Sequence, residues 1–368
     1  MSTGFFWDEC CFWHSGGNYA MLTPVGGLVQ PMAAGGLPEN PETKRRLKNL
    51  LEVSGLWQDL SPQGAEAVTH ADLLRVHPEA FLDRFKALSD AGGGELGLRT
   101  PFGPGGYEIA TLSAGLAKAA LFSVLDGQHE TAYALSRPPG HHCLPDWQNG
   151  FCLLANIAIA VEAALAEGKA TKVAVLDWDV HHGNGTEAIF YDRADVLTIS
   201  LHQHRNYPLD TGEFADRGRD AGFGANLNIP LPPGTGHKGW TSALRRLALP
   251  AIRDFNPDVI IVACGFDAST FDPLSRMMAS AETFRDMTRD TLALAREIAG
   301  GRLVLVHEGG YSEVHVPFCG HAVLEELSGS RITAPDPFAE TLKLRQPDDR
   351  FDAFVDGILD EFAAELGV

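Results

Sequence analysis

The feature that most constrains this chain is a set of short apolar runs that do not alternate. Residues 4–7, 131–136, 172–177, 196–201, Val259–Cys264 and 302–307 are rich in Val, Ile, Leu, Ala or aromatic side chains. A strand with one wet face alternates apolar and polar residues. An unbroken run fits a strand covered on both faces, as in a parallel sheet. Helical patterns separate these runs, at 107–125, Asn156–Ala166, 240–255 and 281–299, and 351–366 reads as a surface helix. The alternation predicts an α/β fold, a parallel sheet flanked by helices. Glycine and proline gather in the loops 24–41, 91–106, 137–145, 208–224 and 230–236. None of these reads as an interdomain linker, so 1–368 is expected to be a single domain.

Charge narrows the partners. With 29 Lys+Arg against 48 Asp+Glu the formal net charge is −19, a poor balance for general nucleic-acid binding. The longest apolar runs, such as Val259–Cys264, read as strand-sized, so no membrane partner is expected. The first residues carry no basic leader. Cys10, Cys11, Cys143, Cys152, Cys264 and Cys319 contain no C-x-x-C pair and read as free thiols, so a cytoplasmic location is expected.

Ligands of open α/β sheets bind beyond the carboxyl ends of the strands. The residues directly after the runs are therefore informative. After 131–136 come Arg137, Pro138, Pro139, Gly140, His141 and His142. After Asp177 come Trp178, Asp179, Val180, His181, His182, Gly183, Asn184 and Gly185. After Cys264 come Gly265, Phe266 and Asp267, and after His307 come Glu308, Gly309, Gly310 and Tyr311. Four strand ends thus deliver chemistry to one rim.

In an extended chain Asp177, Asp179 and His181 point the same way. Without a cation such a group repels itself or stays partly protonated. Asp179, His181 and Asp267 offer one nitrogen and two oxygens to a divalent ion, with an open position for water, as in a catalytic site. Zinc is the first expectation; iron(II), cobalt or manganese suits the same donors. Each of these residues alone would read as a satisfied buried polar group. His141 and His142, after a rigid Pro-Pro-Gly turn, suit general base and acid work, with Asp177 and Asn184 as orienting partners. Tyr311, after two glycines, can aim a hydroxyl at a developing oxyanion.

These blocks, with Gly150-Phe151-Cys152, Thr186 and Ala268, resemble the zinc-dependent histone deacetylase family, most closely its bacterial class II members, the histone deacetylase-like amidohydrolases. The resemblance runs from Pro41 to Gly320. It implies the arginase/deacetylase fold and one zinc ion at Asp179, His181 and Asp267. It implies His142 as general base, His141 as its electrostatic assistant paired with Asp177, and Tyr311 polarising the acyl carbonyl. Gly150, Phe151 and Tyr207 would border a narrow acyl channel. One or two potassium ions are implied, one at Asp177, Asp179, Ser200 and Leu201 with carbonyls near His181, another near Phe190, Arg193 and Val196. The sequence departs from many relatives in having Asn184 where they carry Asp, a neutral partner that leaves the base titrating lower.

The expected activity is removal of acetyl or similar acyl groups from an amine. The substrate is an acetyl-lysine peptide, an acetylpolyamine or a small xenobiotic amide, and the acidic charge favours cationic substrates by steering. An arginase-type two-metal hydrolase lacks ligands for its second ion. A non-catalytic binder of acylated ligands has no use for His141, His142 and Tyr311 together. A homo-oligomer, dimer or tetramer, is expected from the resemblance.

Overall fold

The computed structural model describes residues 2–30, 32 and 36–367, so Pro31 and residues 33–35 of the expected loop 24–41 lie outside the described residues. Eight strands form one sheet: β1 (Thr3–Phe6), β2 (Leu60–Gln63), β3 (Thr131–Ala134), β4 (Val173–Asp177), β5 (Val196–Gln203), β6 (Asn226–Leu231), β7 (Val259–Cys264) and β8 (Leu303–His307). Their lateral order is β6-β5-β4-β7-β8-β3-β1-β2. Every pairing is parallel.

All residues of β4, β5, β7 and β8 are buried, which is why they read as unbroken apolar runs. Neighbouring side chains go to opposite cores: Leu176, Val262 and Leu305 to one, Val175, Ile261 and Val304 to the other. The first core is closed by α1 (Glu42–Ser54), the second by α2 (Gly106–Leu125) and α3 (Asn156–Ala166). Helices α4 (Ala281–Ile298) and α5 (Val316–Ser328) also cover the first, and α6 (Asp349–Leu366) lies over it with only Val355 and Leu359 buried. The Asp348 carboxylate starts α6 by accepting from the Arg350 and Phe351 amides.

Four expectations need correction. The edge strands β2 and β6 escape the pattern, because Pro62 and Pro230 interrupt their apolar residues. Proline cannot donate to a ladder and is tolerated at an edge, where one side has no neighbour. The expected loop 230–236 therefore starts inside β6. The expected helix 240–255 is His237–Ala243, a π-helical turn Leu244–Ala248, then Leu249–Phe255. Pro250 has no amide to return to the preceding turn, and the wider turn absorbs that loss. Finally, the longest apolar run is helical, not strand-sized: α2 has 20 residues, and an 18-residue stretch of it has mean hydropathy 1.4 and is 61 % buried inside the fold. A core helix packed on several sides is apolar all round.

Candidate metal centre and its channel

The sheet order sets β4, β7, β8 and β3 side by side, so the loops leaving their carboxyl ends meet at one place. Strand β4 ends at Asp177, and the chain beyond it turns rather than staying extended. Alternation therefore does not bring 177, 179 and 181 together. Each aspartate instead folds the chain back on itself. The Asp179 amide donates to Asp177 Oδ1 (2.9 Å), and the His181 amide donates to Asp179 Oδ1 (2.9 Å). From β7, Asp267 is fixed by the Val180 amide on its Oδ1 (2.8 Å). From the β8 loop, the Gly309 amide donates to Asp179 Oδ2 (2.8 Å). A side chain at 309 would collide, since its Cβ would overlap Asp267 Oδ2.

Asp179, His181 and Asp267 thus present three ligand atoms within 4.8 Å of one another. His181 Nδ1 lies 3.0 Å from both Asp179 Oδ1 and Asp267 Oδ2. The two aspartates are fully buried, and among the described residues no lysine or arginine pairs with either. Burial, then the Asp179 charge, raises the Asp267 carboxyl to about 6. Two carboxylates and an imidazole held together in a dry site need a cation to balance them. The donor set fits a divalent ion such as zinc.

The two histidines part electrostatically. Burial opposes a charge on His141, but Asp179 and Asp177 outweigh it and push its pKa up to about 10. Its Nδ1 donates to Asp177 Oδ2 (2.9 Å). His142 is driven well below the ordinary range by burial and by His141 and His181, and so is neutral. Its Nδ1 donates to Asn184 Oδ1 (2.8 Å), which leaves Nε2 free to accept a proton. The rings of the pair sit 4.0 Å apart.

Two carboxylates missed as site residues hold this machinery. Glu308 Oε2 accepts from the Gly140 and His141 amides (2.7 and 3.1 Å), pinning the tandem turn. Asp272 Oδ2 accepts from the Tyr311 amide (2.7 Å) and Oδ1 from Leu274 (2.8 Å). The rim argument already pointed at Glu308, but its partners lie 167–168 residues earlier. Asp272 before Pro273 carried only a turn signal. Arg137, which opens the Pro-Pro-Gly-His-His block, does not reach the channel. It donates to Glu39 Oε1 (2.9 Å) and to the carbonyls of Cys11 and His14.

A cavity of about 240 Å³ leads to the centre. His142, His181 and Tyr311 line it together with Gly150, Phe151 and Tyr207. The Phe151 and Tyr311 rings meet edge-on at 5.7 Å, and Tyr207 stands edge-on to His142 at 5.1 Å. Gly150, at φ +50°, allows this approach: a Cβ there would overlap the His142 ring at Cδ2. Of the residues expected around potassium, Asp177 and Ser200 are direct neighbours across β4 and β5, and Leu201 follows in β5. Phe190, Arg193 and Val196 lie together between the helix Asn184–Phe190 and β5, where the Arg193 amide donates to the Phe190 carbonyl (2.9 Å).

Fold and site together define a parallel α/β protein with a buried Asp-His-Asp metal-type centre at the floor of a narrow channel. Comparison with known proteins narrows the class. The histone deacetylase domain matches residues 37–327. The chain is 57 % identical over 366 residues to the histone deacetylase-like amidohydrolase of Pseudomonas aeruginosa, covering 100 % of this chain and 96 % of that protein. It is 36 % identical over 323 residues to a probable deacetylase of Archaeoglobus fulgidus, covering 84 % and 88 %. The crystal structure of the HDA15 HD domain superposes with a TM-score of 0.81 at 29 % identity, over 99 % of each chain. The chain belongs to the histone deacetylase family.

Proposed function

We propose that the protein is a zinc-dependent amidohydrolase that removes acetyl or similar acyl groups from an amine, with N-acyl-lysine as the substrate type. The observation that carries this reading is the cluster of Asp179, His181 and Asp267 at the foot of a channel that also holds His142 and Tyr311. A bound divalent ion supplies a Lewis acid for the acyl carbonyl and acidity for the attacking water.

The chain's own groups do the rest. Phe151 and Tyr207 grip the slim acyl-bearing stem and exclude bulk water. Neutral His142 takes the proton of the attacking water at Nε2, and Asn184 orients the imidazolium that forms. Charged His141, held by Asp177, adds positive potential beside the developing oxyanion. The Tyr311 hydroxyl donates to that oxyanion; burial, Asp267 and Asp179 keep it protonated by raising its pKa well above ordinary. His142 then returns its proton to the leaving amine, which departs as the carboxylic acid forms. Potassium at Asp177, Ser200 and Leu201 would brace the carboxyl end of β4, and at Phe190, Arg193 and Val196 the end of the helix Asn184–Phe190.

The test is metal analysis joined to kinetics on an acetyl-lysine reporter. Stripping with a strong chelator should abolish turnover and one equivalent of zinc should restore it. Asp179→Asn should lose the metal and at least about 10³-fold in kcat/KM, the scale of a metal's contribution. Full activity in stripped protein, or in the variant, would end this reading.

A further inference from the structure

The rest of the channel lining is neutral except for one side chain. Leu22, Asn206 and Leu274 complete it with Arg99. Apart from the histidines, Arg99 is the only charged residue among the lining residues. Its position is built rather than accidental. The short strand Gly97–Leu98 runs parallel to Gln148–Asn149. The Gly150 amide donates to the Leu98 carbonyl (3.0 Å) and the Phe151 amide to the Arg99 carbonyl (3.0 Å). Arg99 itself sits at φ +60°, a left-handed conformation that side-chain-bearing residues rarely adopt. Phe151, the next residue across this ladder, is also left-handed at φ +69°. The Arg99 guanidinium carbon lies 5.1 Å from the centroid of the Tyr207 ring, cation–π distance. Tyr207 in turn donates its hydroxyl to Asn149 Oδ1. Among the described residues no carboxylate pairs with Arg99. The nearby Glu95 spends Oε1 on the Thr100 amide (2.8 Å).

A fixed, unpaired positive charge on the channel wall opposes the field of the whole molecule. The formal net charge of −19 steers cations toward the protein. That field is screened beyond about 8–10 Å at physiological salt, whereas a substrate group beside the channel wall lies inside that distance of Arg99. For the bound substrate the local charge wins. Resting on the amidohydrolase reading, we propose that Arg99 is a specificity-determining residue: it selects N-acyl amines that carry a carboxylate close to the acylated nitrogen's stem, such as acyl-lysine with a free or neighbouring carboxylate. It disfavours polycations such as acylated polyamines.

The test uses the zinc-loaded protein, three matched acetyl-lysine peptides flanked by Asp, Ser or Lys, and an acetylated diamine. The neutral peptide is the reference to which the others are normalised. At low salt the wild type should favour the Asp peptide over the Lys peptide about tenfold in kcat/KM, the scale of one close charge pair at a half-wet site. The preference should shrink in 0.5 M salt. Arg99→Glu should invert the order, and Arg99→Lys should keep it. An unchanged ratio in Arg99→Glu overturns the proposal. So does an equal loss on all peptides in Arg99→Gln that Arg99→Lys does not restore, because that marks a wall that merely props Tyr207. Fluorescence anisotropy with the labelled peptides separates the two readings. Binding that prefers the Asp peptide without turnover keeps Arg99 and removes the hydrolase. Turnover blind to flanking charge does the reverse.

Discussion

Two hollows in the molecule have opposite characters. The larger, about 540 Å³, lies between the start of α4, α5 and the segment after α5. The part-buried charges Arg285 and Asp336 in its wall have partners. Arg285 pairs with Glu325 (2.5 Å) and Glu282 (3.2 Å), and Asp336 accepts from His315 Nε2 (2.9 Å) and the Phe338 amide (2.9 Å). The channel is less than half that volume, yet beside it stand Asp177, Asp179, Asp267 and Glu308, all buried and none paired with a lysine or arginine among the described residues. Among the described residues one oxygen of Glu308 has no hydrogen-bond partner, and burial raises that carboxyl to about 7. Volume alone does not locate chemistry. Uncompensated buried charge does, because it is costly unless a ligand or an ion completes it.

The sharpest attack on this contrast is Tyr311→Phe. It removes only a hydroxyl from the small channel and should lower kcat by about 10²–10³, the loss seen when one oxyanion donor goes. Zinc content and melting temperature should stay put; a kcat near wild type would detach Tyr311 from the reaction.

A second prediction concerns the scaffold of the rim. His77 Nδ1 donates to the Pro145 carbonyl (2.8 Å), and its Nε2 accepts from the Ala155 amide (3.1 Å). Burial lowers its pKa to about 4 from 6.5. The unfolded chain therefore binds the proton first. This stability is complete above pH 6.5 and is lost as pH falls toward 4, by about 3 kcal/mol at most. Urea titrations across that range should show a shallower pH dependence for His77→Gln. Equal slopes would show that the rim loop does not depend on a neutral histidine there.

Asn184→Asp probes the channel more gently. A carboxylate on His142 Nδ1 favours the imidazolium, so the base is lost at higher pH and the acid limb of kcat/KM should move up by about one unit. An unmoved limb would assign the limb to another group. The smallest effect belongs to the larger hollow. Ala339→Leu reaches into it from an exposed position and should leave kcat/KM within about twofold, as expected for a surface change. A large loss would couple that cavity to the metal centre.

Much of the site was legible because its residues sit in blocks directly after buried strands. His141, His142, Asp177, Asp179, His181, Asp267 and Tyr311 all sit at or just beyond such runs. Their partners were harder to see. Glu308 stood in plain view, but its role depends on amides at Gly140 and His141, on another strand's loop. Arg99 lay in a glycine-rich loop with no chemical signal, and only the pairing of 97–98 with 148–149 carries it to the channel.

Burial on both faces leaves a mark on each strand by itself, so the α/β class and six of the eight strands were legible in local pattern, although β3 stops at Ala134 rather than 136 and β5 runs on to Gln203 rather than 201. Lateral order leaves no such mark. The edge positions of β2 and β6, the adjacency of β4, β7, β8 and β3, and the meeting of Asp179 with Asp267, 88 residues further along, come from long-range packing, which sets neighbours in space without any periodicity along the chain.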